Sequence, residues 1–388
     1  MTDSLVLDTI LQRSWEPVIL PVPLPVTALP TPALVLDRAA MSRNVSTMAA
    51  HLHTRQKKAR PHAKTHKCPL IARLQLEHGA VGICAAKLGE AAALVAAGVR
   101  DILLTSPLTH PVKIELLARL LRRASGLWLV VDSEEGMRVL EAGIPADCRL
   151  GIVLDIDVDM GRTGCRQPEV ARRILDRVDS DPRFHLAGIQ HYAGHLMHIR
   201  EFAERRERSL ASWSQALSFA RQVLPRLPGV VTGGGSGTYA IDVDVDEITD
   251  LQVGSYLFMD SQYMEIQSLD GDNFNDFENS LQVACTVISD PLRDVGAVTV
   301  DGGFKAFASD AGAPRIRPPG QGKYRFAGDE HGVYRVPEGD QAPALGDVLR
   351  FIVPHCDPTV NLHDVYWVMD PDGVVRELWP ITARGASW

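Results

Sequence analysis

The stretch Arg60-Pro61-His62-Ala63-Lys64-Thr65-His66-Lys67 crowds two lysines and two histidines into a few positions. A lysine held in an apolar setting loses its proton more readily and can condense with a carbonyl carbon. Lys64 is the first choice for that amine and Lys67 the second, with a solvated loop lysine as the plainer alternative for both and for Lys87. Further along, Val231-Thr232-Gly233-Gly234-Gly235-Ser236-Gly237-Thr238 puts glycines and hydroxyls together. Glycines allow close backbone approach, and amides with hydroxyls can receive a phosphate. A smaller turn, Gly254-Ser255-Tyr256, follows. The pattern is not that of a nucleoside-triphosphate loop. A reactive lysine combined with two phosphate-sized turns points to a phosphorylated aldehyde as cofactor.

Two further clusters carry chemistry. In LDIDVDMGRTGC, Asp155, Asp157, Asp159 and Arg162 stand at or beyond a strand end. Arg162 suits a carboxylate or an anionic ring oxygen, while a polar turn held by ion pairs is the plainer alternative. In HCDPTVNLHD, His355 and Asp357 lie two apart, with Cys356, His363 and Asp364 nearby. In extended chain, residues two apart point the same way, so His355 and Asp357 would approach one ion. Imidazole and oxygen donors suit Mn²⁺, Mg²⁺, Co²⁺ or Zn²⁺.

The elements that must position these groups are read from periodicity. Eight strand candidates, KARPHA, AVGICA, DILLT, LWLVVD, LGIVLDI, LAGIQHY, GVVTG and DLQVGS, alternate with amphipathic helix candidates. Buried strands separated by helices predict a (β/α)8 barrel, with an open doubly wound sheet as the competitor. Active groups of such barrels gather at the carboxyl ends of the strands. Lys64 lies near the end of the first, KARPHA. From about residue 270, strands such as LQVACTVIS, VGAVTVDGG, DVLRFIVP, DVYWVMD and VVRELWPI, joined by Gly-, Asp- and Pro-rich turns, predict a mostly antiparallel β domain. The expected division is an N-terminal extension over 1–30, packed on the β domain, a barrel over 31–265 and a β domain over 266–388 carrying the metal site. The proline-rich PVILPVPLPVTALPTP favours extended chain.

The formal net charge of −8 over 388 residues gives no electrostatic support for nucleic-acid binding. No stretch reaches the 18 or so apolar residues of a membrane span. The six cysteines are scattered without a CxxC pair, which fits a reducing compartment. The opening MTDSLVLDTILQ lacks a basic-then-apolar leader pattern, and a cytoplasmic protein is expected.

Taken together, TPALVLD, RPHAKTHKCP, VGICAAKLGEA, MGRTGC, TGGGSGTY, LQVGSYLFMD, DEHGV, HCDPTVNLHD and WPITARG resemble the D-threonine aldolases. They are similar also to the D-3-hydroxyaspartate aldolases and eukaryotic-type D-serine dehydratases. The resemblance spans nearly the whole chain from Thr31. It implies an alanine-racemase-like fold, pyridoxal phosphate (PLP) and a divalent cation, Mn²⁺ foremost. It implies that Lys64 holds PLP as an imine. His62, Arg162 and Tyr192 would flank the ring, and Gly235, Ser236, Gly237, Thr238, Gly254, Ser255 and Tyr256 would take the phosphate. His355 and Asp357 would bind the metal, with His355 relaying a proton and Arg162 steadying the cofactor or the substrate carboxylate.

The implied reaction cleaves a D-3-hydroxy-amino acid into glycine and an aldehyde, in a homodimer whose active sites lie at the subunit interface. Dehydratases of the group place a cysteine two residues after the histidine, where this chain has Asp357, so the aldolase branch is expected. Dehydration to a keto acid and ammonia is the alternative within enzymology, and a non-catalytic PLP-binding regulator the alternative outside it. His62, His66, His191 and His195 are second-line proton carriers. Asp301, Lys305 and the turn Asp329-Glu330-His331-Gly332 are expected to anchor the β domain. Aldolase relatives read CCQK where this chain has Cys84-Ala85-Ala86-Lys87, and often Tyr-His where it has His191-Tyr192. Those positions bear on the substrate.

Overall fold

The computed structural model describes residues 2–271 and 273–388. The chain opens with helix α1 (Thr2–Leu11) and an extended strand β1 (Val18–Pro25), followed by β2 (Ala33–Asp37) and α2 (Arg38–Thr54). Asp37 caps α2 by accepting a hydrogen bond from the Ala40 amide at 3.0 Å. The barrel strands follow as β3 (Lys58–Ala59), β4 (Ile83–Ala85), β5 (Ile102–Leu104), β6 (Leu127–Val131), β7 (Leu150–Ile156), β8 (Phe184–His191), β9 (Val231–Gly233) and β10 (Asp250–Leu251). Between them lie α3 (Pro69–Glu77), α4 (Leu88–Ala96), α5 (Pro111–Leu121), α6 (Glu134–Gly143), α7 (Pro168–Ser180), α8 (Phe202–Val223) and the short α9 (Tyr239–Asp242).

These eight strands form one parallel sheet in the order β3-β10-β9-β8-β7-β6-β5-β4. Its two edges meet through a parallel bridge between His62 and Cys84, so the sheet curls onto itself. Alternation along the strands separates two environments. Ile83, Ile102, Leu129 and Ile152 join the large cluster beneath the helices. Cys84, Leu103, Val130 and Val153 meet one another inside. The rest of the interior is polar. Arg60 donates to Asp250 at 3.1 Å, and Thr232 to Asp250 at 2.6 Å. Gln252 donates to Thr232 at 3.3 Å and to Gln190 at 2.9 Å, and Gln190 to Asp155 at 2.9 Å. Because every buried group here has a partner, the chain of hydrogen bonds can replace the apolar layers usual in such barrels.

The second sheet holds β11 (Leu281–Ser289), β12 (Ala297–Val300), β13 (Arg315–Ile316), β14 (Lys323–Phe326), β15 (Gly332–Arg335), β16 (Val348–Ile352), β17 (Val365–Met369) and β18 (Val374–Pro380), with helix α10 (Cys356–Val360) between β16 and β17. Its main path runs β1-β18-β17-β2-β11-β12-β15-β14. All these pairings are antiparallel except β2 with β17. The fold is therefore α/β, with a parallel barrel and a mostly antiparallel sheet, as expected.

One boundary differs from the sequence reading. Ala33–Asp37, placed with the barrel in the 31–265 segment, hydrogen-bonds to β11 and β17 and so belongs to the second sheet. Buried on both sides, ALVLD looks like a barrel strand, and only its partners distinguish it. The extension divides between the two parts. β1 is the edge strand beside β18, whereas α1 packs on α4 and α5 and puts Leu7 and Ile10 into the large core. Among the described residues, no helix is long and apolar enough to cross a membrane.

Candidate active site

The carboxyl ends of the barrel strands surround a cavity of about 220 Å³. Lys64 reaches it from the turn after β3, Thr105 from β5, Arg162 from the loop after β7 and Tyr192 from β8. Gly235 and Ser236 come from β9, and Gly254 and Ser255 from β10. Barrel geometry thus brings together side chains that are far apart in sequence.

The turn carrying Lys64 is held from several sides. His62 Nδ1 accepts from the Lys64 amide at 3.3 Å, which leaves the Nε2–H to donate to Thr105 Oγ1 at 3.0 Å. Burial pushes the His62 pKa well below the usual imidazole value, so it stays neutral. Lys67 adopts a left-handed φ of 52° and its ammonium pairs with buried Glu90. Glu90 also caps α4 by accepting from the Ala86 amide at 2.8 Å. Lys67 is therefore a structural ion-pair residue and not a second free amine. Tyr366 donates to the His66 carbonyl at 2.6 Å, tying the turn to β17. His66 itself is buried and its pKa falls to about 3 through desolvation.

Lys64 Nζ lies 3.3 Å from Asp357 Oδ1. The Asp357 charge holds the lysine pKa above its ordinary value, despite desolvation working the other way. For Asp357, burial acts to raise the pKa, but Lys64 and His355 outweigh it and hold it at about 2. Apart from the Lys64 ion pair, Asp357 Oδ1 has no hydrogen-bond partner. His355 Nδ1 bonds to Asp310 Oδ2 at 2.6 Å. The carboxylate can only accept, so Nδ1 carries a proton, and in the neutral ring it is the Nε2 lone pair that is open.

The local backbone departs from the sequence reading. His355 and Asp357 were placed on extended chain, but His355 is the extended cap and Cys356 begins α10. A fixed i, i+2 alignment therefore does not apply. Pro358 in the first turn suits a helix start, because the first amides need no intrahelical acceptor. Among the described residues, no group of three or more His, Cys, Asp and Glu side chains forms a metal shell. Buried Cys356 keeps its proton, since desolvation raises its pKa.

At the other end of the cavity lie the glycine turns. The amides of Gly234, Gly235, Ser236 and Gly237 donate to no group of the protein among the described residues, nor does that of Ser255. Ser236 Oγ accepts from the Gly254 amide at 3.3 Å and the Tyr256 amide at 2.9 Å, which joins the two turns. Thr65 Oγ1, buried on the cavity wall, also lacks a partner. Uncommitted buried donors of this number fit a phosphate.

Several expected residues sit otherwise than anticipated. The Tyr256 hydroxyl accepts from Gln75 at 3.0 Å, away from the cavity. The Thr238 hydroxyl donates to Asp242 at 2.5 Å. Gly237 and Thr238 lie behind the cavity wall formed by Gly235 and Ser236. Arg162 does line the cavity and stacks over the Tyr192 ring at 5.2 Å. Its loop is shaped by Asp157, which accepts from the Met160 amide at 2.9 Å and the Gly161 amide at 3.0 Å. His191 is structural, bonding Ser212 Oγ at 2.8 Å and the Ile156 carbonyl at 3.0 Å. His363 meets the Ala306 carbonyl at 3.0 Å, and Asp364 pairs with Arg384. Asp301 binds the Thr286 amide at 2.8 Å inside the β domain, while Lys305 pairs with Glu330 at its surface.

Two residues near the reacting groups escaped the sequence reading. Asp310 orients His355 from a loop with no motif of its own. His198 packs its ring against Tyr263, with centroids 4.6 Å apart. Desolvation lowers its pKa to about 4, helped by the charges of His355, Arg205 and Lys64, although the residue keeps an exposed face. The HLMHIR segment offers His195 equally, so sequence alone had no means of choosing His198.

Comparison with known proteins bears on this arrangement. Residues 36–262 match the alanine racemase N-terminal domain family, and residues 280–369 match a putative serine dehydratase domain. The chain is 39% identical over 367 residues to a D-threonine aldolase of Arthrobacter sp., covering 94% of this chain and 95% of that one. It is 33% identical over 365 residues to a 3-hydroxy-D-aspartate aldolase of Paracoccus denitrificans, covering 92% and 93%. The crystal structure of D-threonine aldolase from Filomicrobium marinum superposes with a TM-score of 0.89 at 33% identity, over 96% of this chain and all of that one. A likeness that runs through the barrel and the second sheet alike leaves one assignment: this chain belongs to the family of D-threonine and 3-hydroxy-D-aspartate aldolases, built on the alanine racemase N-terminal domain.

Proposed function

We propose that this protein is a carbon–carbon lyase that cleaves D-3-hydroxy-amino acids into glycine and an aldehyde, using PLP and a divalent cation. The observation that carries this reading is the shared cavity. It holds the Lys64 amine, which is paired with the neighbouring Asp357 carboxylate, together with the uncommitted amides of Gly235, Ser236 and Ser255. Those residues fit PLP, with Lys64 for its aldehyde carbon, Arg162 and Tyr192 beside the ring and the Gly235–Ser236 and Gly254–Ser255 turns for its phosphate. When bound, PLP supplies the electron sink that accepts the pair released as the Cα–Cβ bond breaks.

The chain's own groups handle the protons. Lys64 rests as an ammonium beside Asp357 and must give up its proton before it can attack a carbonyl. His198, held neutral near Lys64 and His355, is a weak base and would take the β-hydroxyl proton only from a hydroxyl already acidified by the cation. His62 stays neutral and holds the turn in place through Thr105. His355 Nε2 and Asp357 Oδ1 would hold the cation, leaving its other positions to water and substrate. The cation would lower the pKa of a bound hydroxyl. Family likeness puts Mn²⁺ first, while a nitrogen and an oxygen donor also suit Mg²⁺, Co²⁺ or Zn²⁺.

The remaining parts of the reading are a homodimer with sites at the subunit interface, a cytoplasmic location, which the six free cysteines support, and a metal-bearing β domain over 266–388. The match of residues 280–369 to a serine dehydratase domain keeps β-elimination as the rival. Chelation tests the whole account. Treatment with EDTA is expected to stop aldehyde release while the PLP absorbance persists. Loss of absorbance together with activity, or activity that survives complete metal removal, would overturn the two-site reading.

A further inference from the structure

Asp242, in α9, is fully buried and does not line the cavity. Its Oδ1 accepts from Ser209 Oγ of α8 at 2.6 Å, and its Oδ2 accepts from Thr238 Oγ1 at 2.5 Å. Its amide donates to the Thr238 carbonyl at 2.8 Å. The carboxylate also lies under Gly234, which has a φ of +64°; a Cβ built there would stand 2.3 Å from Asp242 Oδ2. The turn that presents the uncommitted amides of residues 234–237 is thus fastened to helix α8 through one acid and two hydroxyls.

A buried carboxylate is a costly way to fill space, and an apolar side chain of similar volume would do that at less expense of stability. What the acid provides is acceptors alone. Its oxygens accept from side-chain donors, the Ser209 and Thr238 hydroxyls with the Trp213 indole of α8 beside them, and from none of the loop amides. An amide or alcohol at position 242 would present a donor toward the same hydroxyls and would break that pattern. The acid therefore fixes the turn while leaving its amides free for an anion.

We propose that Asp242 is the positioning residue of the phosphate cradle, acting through Thr238 and Ser209 to set the Gly234–Thr238 turn. The proposal rests on the PLP reading above and assigns the phosphate-end selectivity to a residue that never meets the cofactor.

The test titrates the apoprotein with PLP and with pyridoxal, which shares the aldehyde ring but has no phosphate. Binding is followed by the absorbance that depends on Lys64. The wild type is expected to prefer PLP. Asp242→Asn is expected to weaken PLP binding about tenfold or more, as loss of a buried hydrogen-bond partner does, while pyridoxal binding stays unchanged. Ser209→Ala, a milder change on a rigid helix, is expected to act in the same direction to a smaller extent. An equal loss for PLP and pyridoxal in both variants would mark a merely structural acid and overturn the proposal, as would no loss at all. A wild type that does not distinguish PLP from pyridoxal would instead remove the cradle itself.

Discussion

Lys64 Nζ stands 3.3 Å from Asp357 Oδ1, although one residue follows the first barrel strand and the other lies in the first turn of the short helix α10, between strands of the second sheet. The two parts of the fold meet at this ion pair. Lys64→Ala is expected to abolish the PLP absorbance and lower D-3-hydroxy-amino-acid cleavage about a thousandfold or more, since among the described residues no other lysine lines the cavity. Asp357→Asn should separate the functions. It removes the charge that raises the Lys64 pKa, so PLP is captured faster at neutral pH, while cleavage falls about a hundredfold or more. Stopped-flow absorbance and an aldehyde assay report the two effects.

Asp310 should matter for the cation without touching it. Its carboxylate fixes the His355 ring and its tautomer. Asp310→Asn is therefore expected to weaken Mn²⁺ binding about 10- to 100-fold, as loss of such an orienting group does. Titration of the PLP-loaded enzyme, read by the electron-spin signal of free Mn²⁺, measures it. An unchanged affinity would detach His355 from the metal.

Asp155 sets a pH dependence of stability. Burial raises its pKa from 3.8 to about 6, against hydrogen bonds from Gln190 and Thr163 that lower it. Between those values the folded state keeps a proton that the unfolded chain has lost. The contribution of this group to stability therefore decreases as pH rises from about 4 to about 6 and is constant above that. Asp155→Asn should gain on the wild type across that window, by at most about 1.4 kcal/mol per pH unit. Urea denaturation of both proteins at a series of pH values would show the difference, and a pH-independent difference would contradict the assignment.

Arg60 is the cation of the barrel interior, paired with Asp250 and stacked 4.5 Å over Trp128. Arg60→Met leaves the buried Asp250 carboxylate without its counter-charge. A loss of about 3–5 kcal/mol in unfolding free energy is expected, measured by chemical denaturation. Asp250→Asn in the same background should recover part of it.

The eight barrel strands were legible because each is a short apolar run between helices of clear amphipathic period. The glycine turns and Lys64 were legible because they sit where such strands end. Partners were not legible. ALVLD reads the same whether it joins the barrel or the second sheet, and its place follows from β11 and β17 alone. HCDP reads as extended chain until Cys356 is seen to start a helix. The short strands β13 and β14 lack an apolar run long enough to signal them. Asp310 and Asp242 belong to no motif, and each has its role through a contact made by the fold.

The central claim is the bond that breaks. Purified protein loaded with PLP and Mn²⁺ should be given D-threonine, D-3-hydroxyaspartate, D-phenylserine and D-serine, with the L forms as controls, and its products identified. The account predicts glycine in equal amount with an aldehyde, from D substrates alone and only with both cofactors present. Ammonia and a keto acid in their place would contradict it and make the protein a dehydratase.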